Sequence, residues 1–582
     1  MPISISELVK VPLILHLDLD QSGKLVLYSS NETGIPHLYL IDAKAESKPK
    51  QLTNGKDPVI FGELSPKGNE VLYLQDKDGN ELHHMFLLSI GGEVRRITKK
   101  PFRTLGVDWS PNGREITRAF ATMKNCGLET FNLKTGETFI LKKSNLPLMG
   151  VEYSHDGKWI ACTRALGFKN LQIFILNRED PDDTIVYSIK DNSREQIPKW
   201  SPDDKRLAFI SDAKGKPQVV IQEFQGNERI FLELEESEEA IEGETLWDAA
   251  GEKVYYVVSK HSRTYLHAHQ INGEKQPALP FPEGTIPMAK ISKDGKTIVA
   301  VHSSMTSPPG IYIYKVGEES VKPLTSRKFN IDLTKLKQIQ SIWYESFDGL
   351  KIHGWYMPAA TGKPPHPAII YVHGGPWAQV FDSWFQGVFL HSLSQSGFAV
   401  FAPNFRGSTG YGAEFQNLDI GDPGGGDLED VVYAAEWLKK RPEIDGSRIG
   451  IMGASYGGYM TLIALTKKPE KFAAGVSLVP VVDWMEMYGL SDALFRAIME
   501  TLLDGKPSEK EELYRDRSPI THIANIKAPV MIMAGKQDSR CPIQPIEKFV
   551  KKLKEMNHPH EFVLEEKAGH ASAFLKLSLI HI

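Results

Sequence analysis

One phrase recurs seven times in the first half of the chain. It reads "LDQSGKLVLY" from Leu19, "LSPKGNEVLY" from Leu64, "WSPNGREITR" from Trp109 and "YSHDGKWIAC" from Tyr153. It returns as "WSPDDKRLAF" from Trp200, "WDAAGEKVYY" from Trp247 and "ISKDGKTIVA" from Ile291. The starts lie 45, 45, 44, 47, 47 and 44 residues apart. Each copy is an apolar residue, a tight turn and an alternating strand. Further alternating runs follow, such as "HLYLIDA" and "IYIYKV". Repeats of about 40 to 50 residues made of short strands indicate propeller blades, because one blade cannot bury both faces and stacking supplies the core. The spacing predicts a seven-bladed β-propeller over residues 15–325, behind an N-terminal extension of residues 1–14. A tandem of open sandwiches has no need of such even spacing.

The pattern changes near Lys322. "SIWYESFDGLKIHGWYMPA" reads as a hairpin, and apolar runs then alternate with amphipathic helices. The strand candidates are "AIIYVHG", "FAVFAPN", "RIGIMGA", "AGVSLVP", "PVMIMAG" and "HEFVLEE". In "DLEDVVYAAEWLKK", Leu428, Val431, Val432, Ala435 and Leu438 share one helical face. Continuous apolar strands separated by helices predict a mostly parallel sheet covered on both sides, a doubly wound α/β domain over residues 326–582, which the motif around Ser455 makes an α/β-hydrolase.

Sites in such sheets form beyond the carboxyl ends of strands. "GASYGGYM", Gly453 to Met460, stands between the strand "RIGIM" and the helix-like "TLIALTKK". Gly453-Ala454-Ser455-Tyr456-Gly457 matches the G-x-S-x-G nucleophile elbow, whose glycines let strand and helix backbones nearly touch. A serine hydroxyl needs a base, and in this fold the acid and then the histidine follow it in the chain. His558 and His560 precede the last strand and lie at its wrong end, and His581 is a tail residue. His570, in "EKAGHAS", follows that strand and is the expected base. Asp538, in "KQDSRCP", is the favoured acid. Asp483 stays open as an alternative on an earlier strand, and Asp492 lies further on in a predicted helix. The expected oxyanion donors are the backbone N–H groups of Tyr456 and of Gly375 in "YVHGGPWAQ", with His373 structural rather than catalytic.

"HGGPWA", "NFRGSTGYG", "GASYGGYM", "DSRCP" and "AGHA", in this order behind a seven-fold propeller, resemble the prolyl oligopeptidase family of serine peptidases. "VVDWMEMYGLSDALFR" and "RSPITHIANIKAPV" are similar to its acylaminoacyl peptidase branch. The resemblance implies a triad of Ser455, Asp538 and His570, with oxyanion donors Gly375 and Tyr456. It also implies release of an N-acylated amino acid from short peptides, with some esterase activity. Trp484, Phe495 and Ile498 fall where such enzymes have an apolar pocket, although plain core packing would also explain them. Arg540 stands as a ligand for a peptide carboxylate or carbonyl, or as a surface ion pair. Family members usually continue past the histidine with a full helix, whereas here "ASAFLKLSLIHI" follows His570.

A dipeptidyl peptidase is the nearest rival, since Glu235, Glu236, Glu238 and Glu239 superficially offer paired carboxylates for a free amine. A carboxylesterase, or a peptide-binding propeller beside an inert hydrolase, are the others. The formal net charge of −5, with both signs interspersed, gives no reason to expect a nucleic-acid or anionic-membrane partner. The three cysteines, Cys126, Cys162 and Cys541, lack any CxxC spacing, which fits reduced thiols in a cytoplasmic setting. The N-terminus reads as neither a secretory signal nor a membrane span. No cofactor or metal is expected, because HExxH, P-loop and GxGxxG patterns are missing from any supporting context. Homo-oligomerisation is left open.

Overall fold

The computed structural model describes residues 3–44, 47–234, 239–325, 329 and 331–571. Seven antiparallel sheets follow one another from Ile14 to Pro323, six with four strands and one with three among the described residues. They form the seven blades of a β-propeller. Each repeated phrase is the turn between the first and second strands of a blade. Its fourth turn residue has to enter the left-handed region, which favours glycine. Gly68 does so at φ +69° and donates its N–H to Ser65 O at 2.7 Å. In the fifth blade Asp204 takes that conformation instead, and its carboxylate accepts the N–H groups of His155 and Asp156 from the blade before. Alternation in the strands turns apolar residues toward the neighbouring blade. Leu27, Leu38 and Leu40 of the first blade pack on Val59, Val71 and Leu88 of the second. Closure works the same way, through Val26 and Tyr28 against Val299 and Ile311 of the last blade.

The innermost strands carry a ring of ionisable side chains, one per blade: Asp18, Glu63, Asp108, Glu152, Lys199, Glu244 and Lys290. All but Glu244 are the penultimate residue of their strand. In the sixth blade a bulge between Glu242 and Leu246 moves the position. Lys199 bridges Glu152 at 2.7 Å and Glu244 at 3.1 Å, and Lys290 reaches Glu244 at 2.5 Å.

The second domain is built on one sheet, eight-stranded among the described residues. Its strands are β1 (Gln340–Glu345), β2 (Lys351–Met357), β3 (His366–Val372), β4 (Ala399–Asn404), β5 (Ile444–Ala454), β6 (Gly475–Leu478), β7 (Val530–Gly535) and β8 (His560–Glu565). The order across the sheet is β1-β2-β4-β3-β5-β6-β7-β8. Strand β2 runs antiparallel to both its neighbours, β1 and β4, and the remaining pairs are parallel. Helices α1 (Trp384–Gln395), α2 (Gly426–Lys439), α3 (Tyr456–Lys467), α4 (Trp484–Leu490), α5 (Ala493–Leu502) and α6 (Ile543–Glu555) accompany it. The central strands are apolar on both faces because helices cover both. The N-terminal segment belongs physically to this domain, with Ile3, Leu8 and Val11 packing on Leu336, Trp384 and Val388. Among the described residues no helix is long and apolar enough to cross a membrane.

Candidate active site

Strand β5 ends at Ala454 and helix α3 begins at Tyr456, so Ser455 makes the whole turn, at φ +59° and ψ −119°. That conformation is strained for any residue but glycine, and surrounding bonds must hold it. Ser455 N–H donates to Leu478 O and Tyr459 N–H donates to Ser455 O, each at 2.9 Å. The neighbouring glycines are forced by contact. A β-carbon on Gly457 would lie 2.1 Å from Val372 O, one on Gly453 2.4 Å from that same oxygen, and one on Gly458 2.5 Å from Leu478 O.

The structure brings His570 and Asp538 together. His570 Nδ1–H donates to Asp538 Oδ2 at 2.7 Å, which leaves Nε2 as the basic nitrogen. The other carboxylate oxygen accepts the N–H groups of Arg540 and Cys541, both at 2.8 Å. Only 7% of Asp538 and 8% of His570 are exposed, so bulk water screens the pair little. Ser455 Oγ makes no hydrogen bond to His570 among the described residues; it lies against the Cys541 thiol, which burial pushes well up. Such bonds are often long in a resting enzyme and tighten with substrate. The other acid candidates do different work. Asp483 caps α4 through Glu486 N–H, and Asp492 caps α5 through Phe495 N–H.

Gly375 adopts φ +131°, where a β-carbon would press on Trp377 N at 2.8 Å. Its N–H and that of Tyr456, in the first turn of α3, have no acceptor among the described residues. Both therefore remain available to a developing oxyanion. His373 is buried and held at about 4, because burial disfavours its charged form. Its Nδ1–H donates to Gly374 O at 2.8 Å and its ring stacks on Phe405 at 4.3 Å. Phe405 in turn stacks on Tyr456 at 6.2 Å. The histidine thus shapes the glycine loop rather than exchanging protons.

The expected pocket residues divide. Trp484 is 3% exposed and packs edge-on against Tyr459 of α3 at 5.1 Å, inside the domain core. Its indole is therefore closed off by core packing and does not open as a pocket wall. Phe495 and Ile498 are half-buried on α5, and the Arg103 guanidinium covers the Phe495 ring at 5.0 Å. Arg540 is neither free nor an ordinary surface ion pair. Its Nε donates to both Glu81 oxygens, at 2.8 and 2.9 Å, across the domain boundary. Arg103, also from the propeller, reaches Glu81 at 2.7 Å, Asp492 at 2.5 Å and Ser539 at 2.8 Å. A β-carbon on Gly569, next to the histidine, would strike Gly79 O of the same propeller loop. Sequence reasoning missed Glu81 and Arg103. Their only local oddity is the left-handed φ of +58° at Glu81, which a sequence does not display. Of the acidic run weighed for a free amine, Glu235, Glu236 and Glu238 lie outside the described residues, and Glu239 is paired with Lys275 at 2.8 Å.

Residues 384–578 match the prolyl oligopeptidase family and residues 135–332 match the TolB β-propeller domain. Residues 384–578 therefore belong to the prolyl oligopeptidase family, a family of serine peptidases, and the whole chain carries a propeller-plus-hydrolase fold. Its relatives include the uncharacterized peptidase YuxL of Bacillus subtilis, 26% identical over 89% of this chain and 88% of that one. Dipeptidyl aminopeptidase BIII of Pseudoxanthomonas mexicana is 25% identical over 96% and 84%. The acylamino-acid-releasing enzyme of Rattus norvegicus is 31% identical, over 36% of this chain and 29% of its own. A crystal structure of a puromycin hydrolase superposes with a TM-score of 0.87 at 19% identity, covering 100% of this chain and 94% of that one, and so shares the fold.

Proposed function

We propose that this family member releases N-acylated amino acids from short peptides through an ester intermediate on Ser455, with side activity on simple esters. In this reading Ser455 Oγ attacks the scissile carbonyl while His570 Nε2 takes its proton. Asp538 fixes the imidazole tautomer and stabilises the imidazolium. The carbonyl oxygen, now negative, is held by the N–H groups of Gly375 and Tyr456. His570 then protonates the leaving amine, and water repeats the sequence to free the acylated residue and regenerate the hydroxyl. The observation that carries the acylated specificity is the neutralisation of Glu81. The carboxylate that the propeller brings to the acid loop is held by two guanidinium groups, which leaves it no charge to spare for a substrate ammonium. The 31% identity with an acylamino-acid-releasing enzyme over 36% of this chain supports the same branch.

A panel of one peptide with blocked and free N-termini, beside matched aryl esters, tests this. Faster turnover of the acetylated peptide is expected. Ser455→Ala should abolish that turnover together with fluorophosphonate labelling. Preference for the free amine would move the assignment to a dipeptidyl peptidase, and turnover of esters alone to a carboxylesterase.

A further inference from the structure

Two N–H groups on separate elements form the oxyanion site, and each has to point at one oxygen within a few tenths of an ångström. Gly375 sits in the loop after β3, and Tyr456 opens α3. Both loops are anchored from behind by acidic side chains of a single stretch leading into α2. Trp377, two residues past Gly375, donates its indole N–H to Asp419 Oδ1 at 3.2 Å. Tyr456 donates its phenol O–H to Asp427 Oδ2 at 2.5 Å. Asp419 and Asp427 are both wholly buried. They lie close enough that the charge of Asp427 raises Asp419 further, on top of burial. The second oxygen of Asp419 has no partner among the described residues. The backbone closes tightly over this acid: a β-carbon on Gly407 would lie 2.7 Å from the Asp419 carboxyl carbon. From the other side the propeller holds the arrangement shut. Phe168 stacks on Trp377 at 6.0 Å and 18°, and Arg194 hydrogen-bonds Asn417, two residues before Asp419.

A buried acid pair of this kind is expensive to keep in a core. Its two members grip the two loops whose separation sets the oxyanion geometry. We propose that Asp419 and Asp427 are positioning residues for the oxyanion hole, acting through Trp377 and Tyr456 to set the spacing of the Gly375 and Tyr456 N–H groups. Phe168 then makes that spacing depend on the propeller being docked. The inference rests on the assignment of Ser455 as nucleophile.

Kinetics of Tyr456→Phe, Trp377→Phe, Asp427→Ala and Asp427→Asn in the full chain test it, together with affinity for a peptide boronate and for an uncleaved peptide. Tyr456→Phe and Asp427→Ala should each lower kcat by about 10- to 100-fold, with KM within about twofold, because misplacement near the reacting atoms acts on the transition state. Boronate affinity should fall by the same factor and peptide affinity should hold. The Tyr456→Phe/Asp427→Ala double variant should be no worse than either single one, and Asp427→Asn, which keeps an acceptor, should recover most of the rate. Trp377→Phe should act like Tyr456→Phe. Folded Tyr456→Phe and Trp377→Phe enzymes with unchanged kcat and boronate affinity would overturn the proposal, even where Asp427→Ala does not fold. Turnover by Ser455→Ala would instead break the reading beneath it.

Discussion

At the scale of single residues, Glu81 is the most consequential side chain outside the candidate triad. Burial alone would raise its carboxyl. Hydrogen bonds and charge from Arg540, then Arg103, more than reverse this and hold it at about 2. A carboxylate depressed in the fold contributes stability that is complete above its unfolded value, about 4.5, and is lost as pH falls through the folded value. The shift corresponds to on the order of 3 kcal/mol, enough to matter for a protein of ordinary marginal stability. Glu81→Gln should therefore lower the urea midpoint at pH 7, and the deficit should shrink steadily toward pH 2.5. An equal deficit at both pH values would show that the residue acts through shape and not through charge. The same variant should leave Arg540 without its carboxylate partner, while Arg103 keeps Asp492, and so shift preference toward shorter peptides whose free C-terminus can pair with Arg540.

At the scale of elements, the elbow is held by backbones that leave no room for a methyl group. Gly457→Ala would drive a β-carbon to 2.1 Å from Val372 O and 2.9 Å from His373 O, both main-chain atoms that cannot swing aside. Loss of soluble protein, or of all labelling by fluorophosphonate, is expected. Gly489, inside α4, meets nothing within 4 Å, and Gly489→Ala should raise stability by about 0.5–1 kcal/mol. A tolerated Gly457→Ala, or a damaging Gly489→Ala, would contradict this packing argument. The elbow and the blades were legible beforehand for the same reason: each is a local backbone demand that leaves a residue-type signature, glycine at the close approach or at the left-handed turn. The grip of Phe168 on Trp377 left none. The partners stand about two hundred residues apart, and "ALGFKN" reads as an ordinary hairpin tip. Trp484 shows the converse limit. An aromatic at the start of a short helix fits a pocket wall or a core equally well until the position of α3 is known.

At the scale of the whole molecule, the seven-fold ring shows where the propeller is least well tied. At two seams a tryptophan at the end of the inner strand reaches back to the preceding blade. Trp200 Nε1–H donates to Glu152 O at 3.3 Å, and Trp247 Nε1–H to Lys199 O at 3.1 Å. Trp109 occupies the same place between the second and third blades, yet its indole N–H has no partner among the described residues, and neither does one oxygen of Glu63 beside it. Asp18 accepts Leu64 N–H at 2.8 Å and Asp108 accepts Tyr153 N–H at 2.8 Å, so the ring acids on either side do bridge blades. Burial is the main reason that the Glu63 carboxyl is raised well above its ordinary value, with the charges of Asp108 and Asp18 adding to it and Lys290 and Lys199 opposing. For a carboxyl raised in the fold, the native state holds its proton more tightly than the unfolded chain. Stability then falls as pH climbs from the ordinary glutamate range toward the folded value. Glu63→Gln removes that loss, so its melting temperature should exceed that of the parent at pH 8 and match it near pH 4. An advantage that does not change with pH, or a variant less stable at pH 8, would mean that the Glu63 charge is satisfied after all and that this seam is as firmly closed as the others.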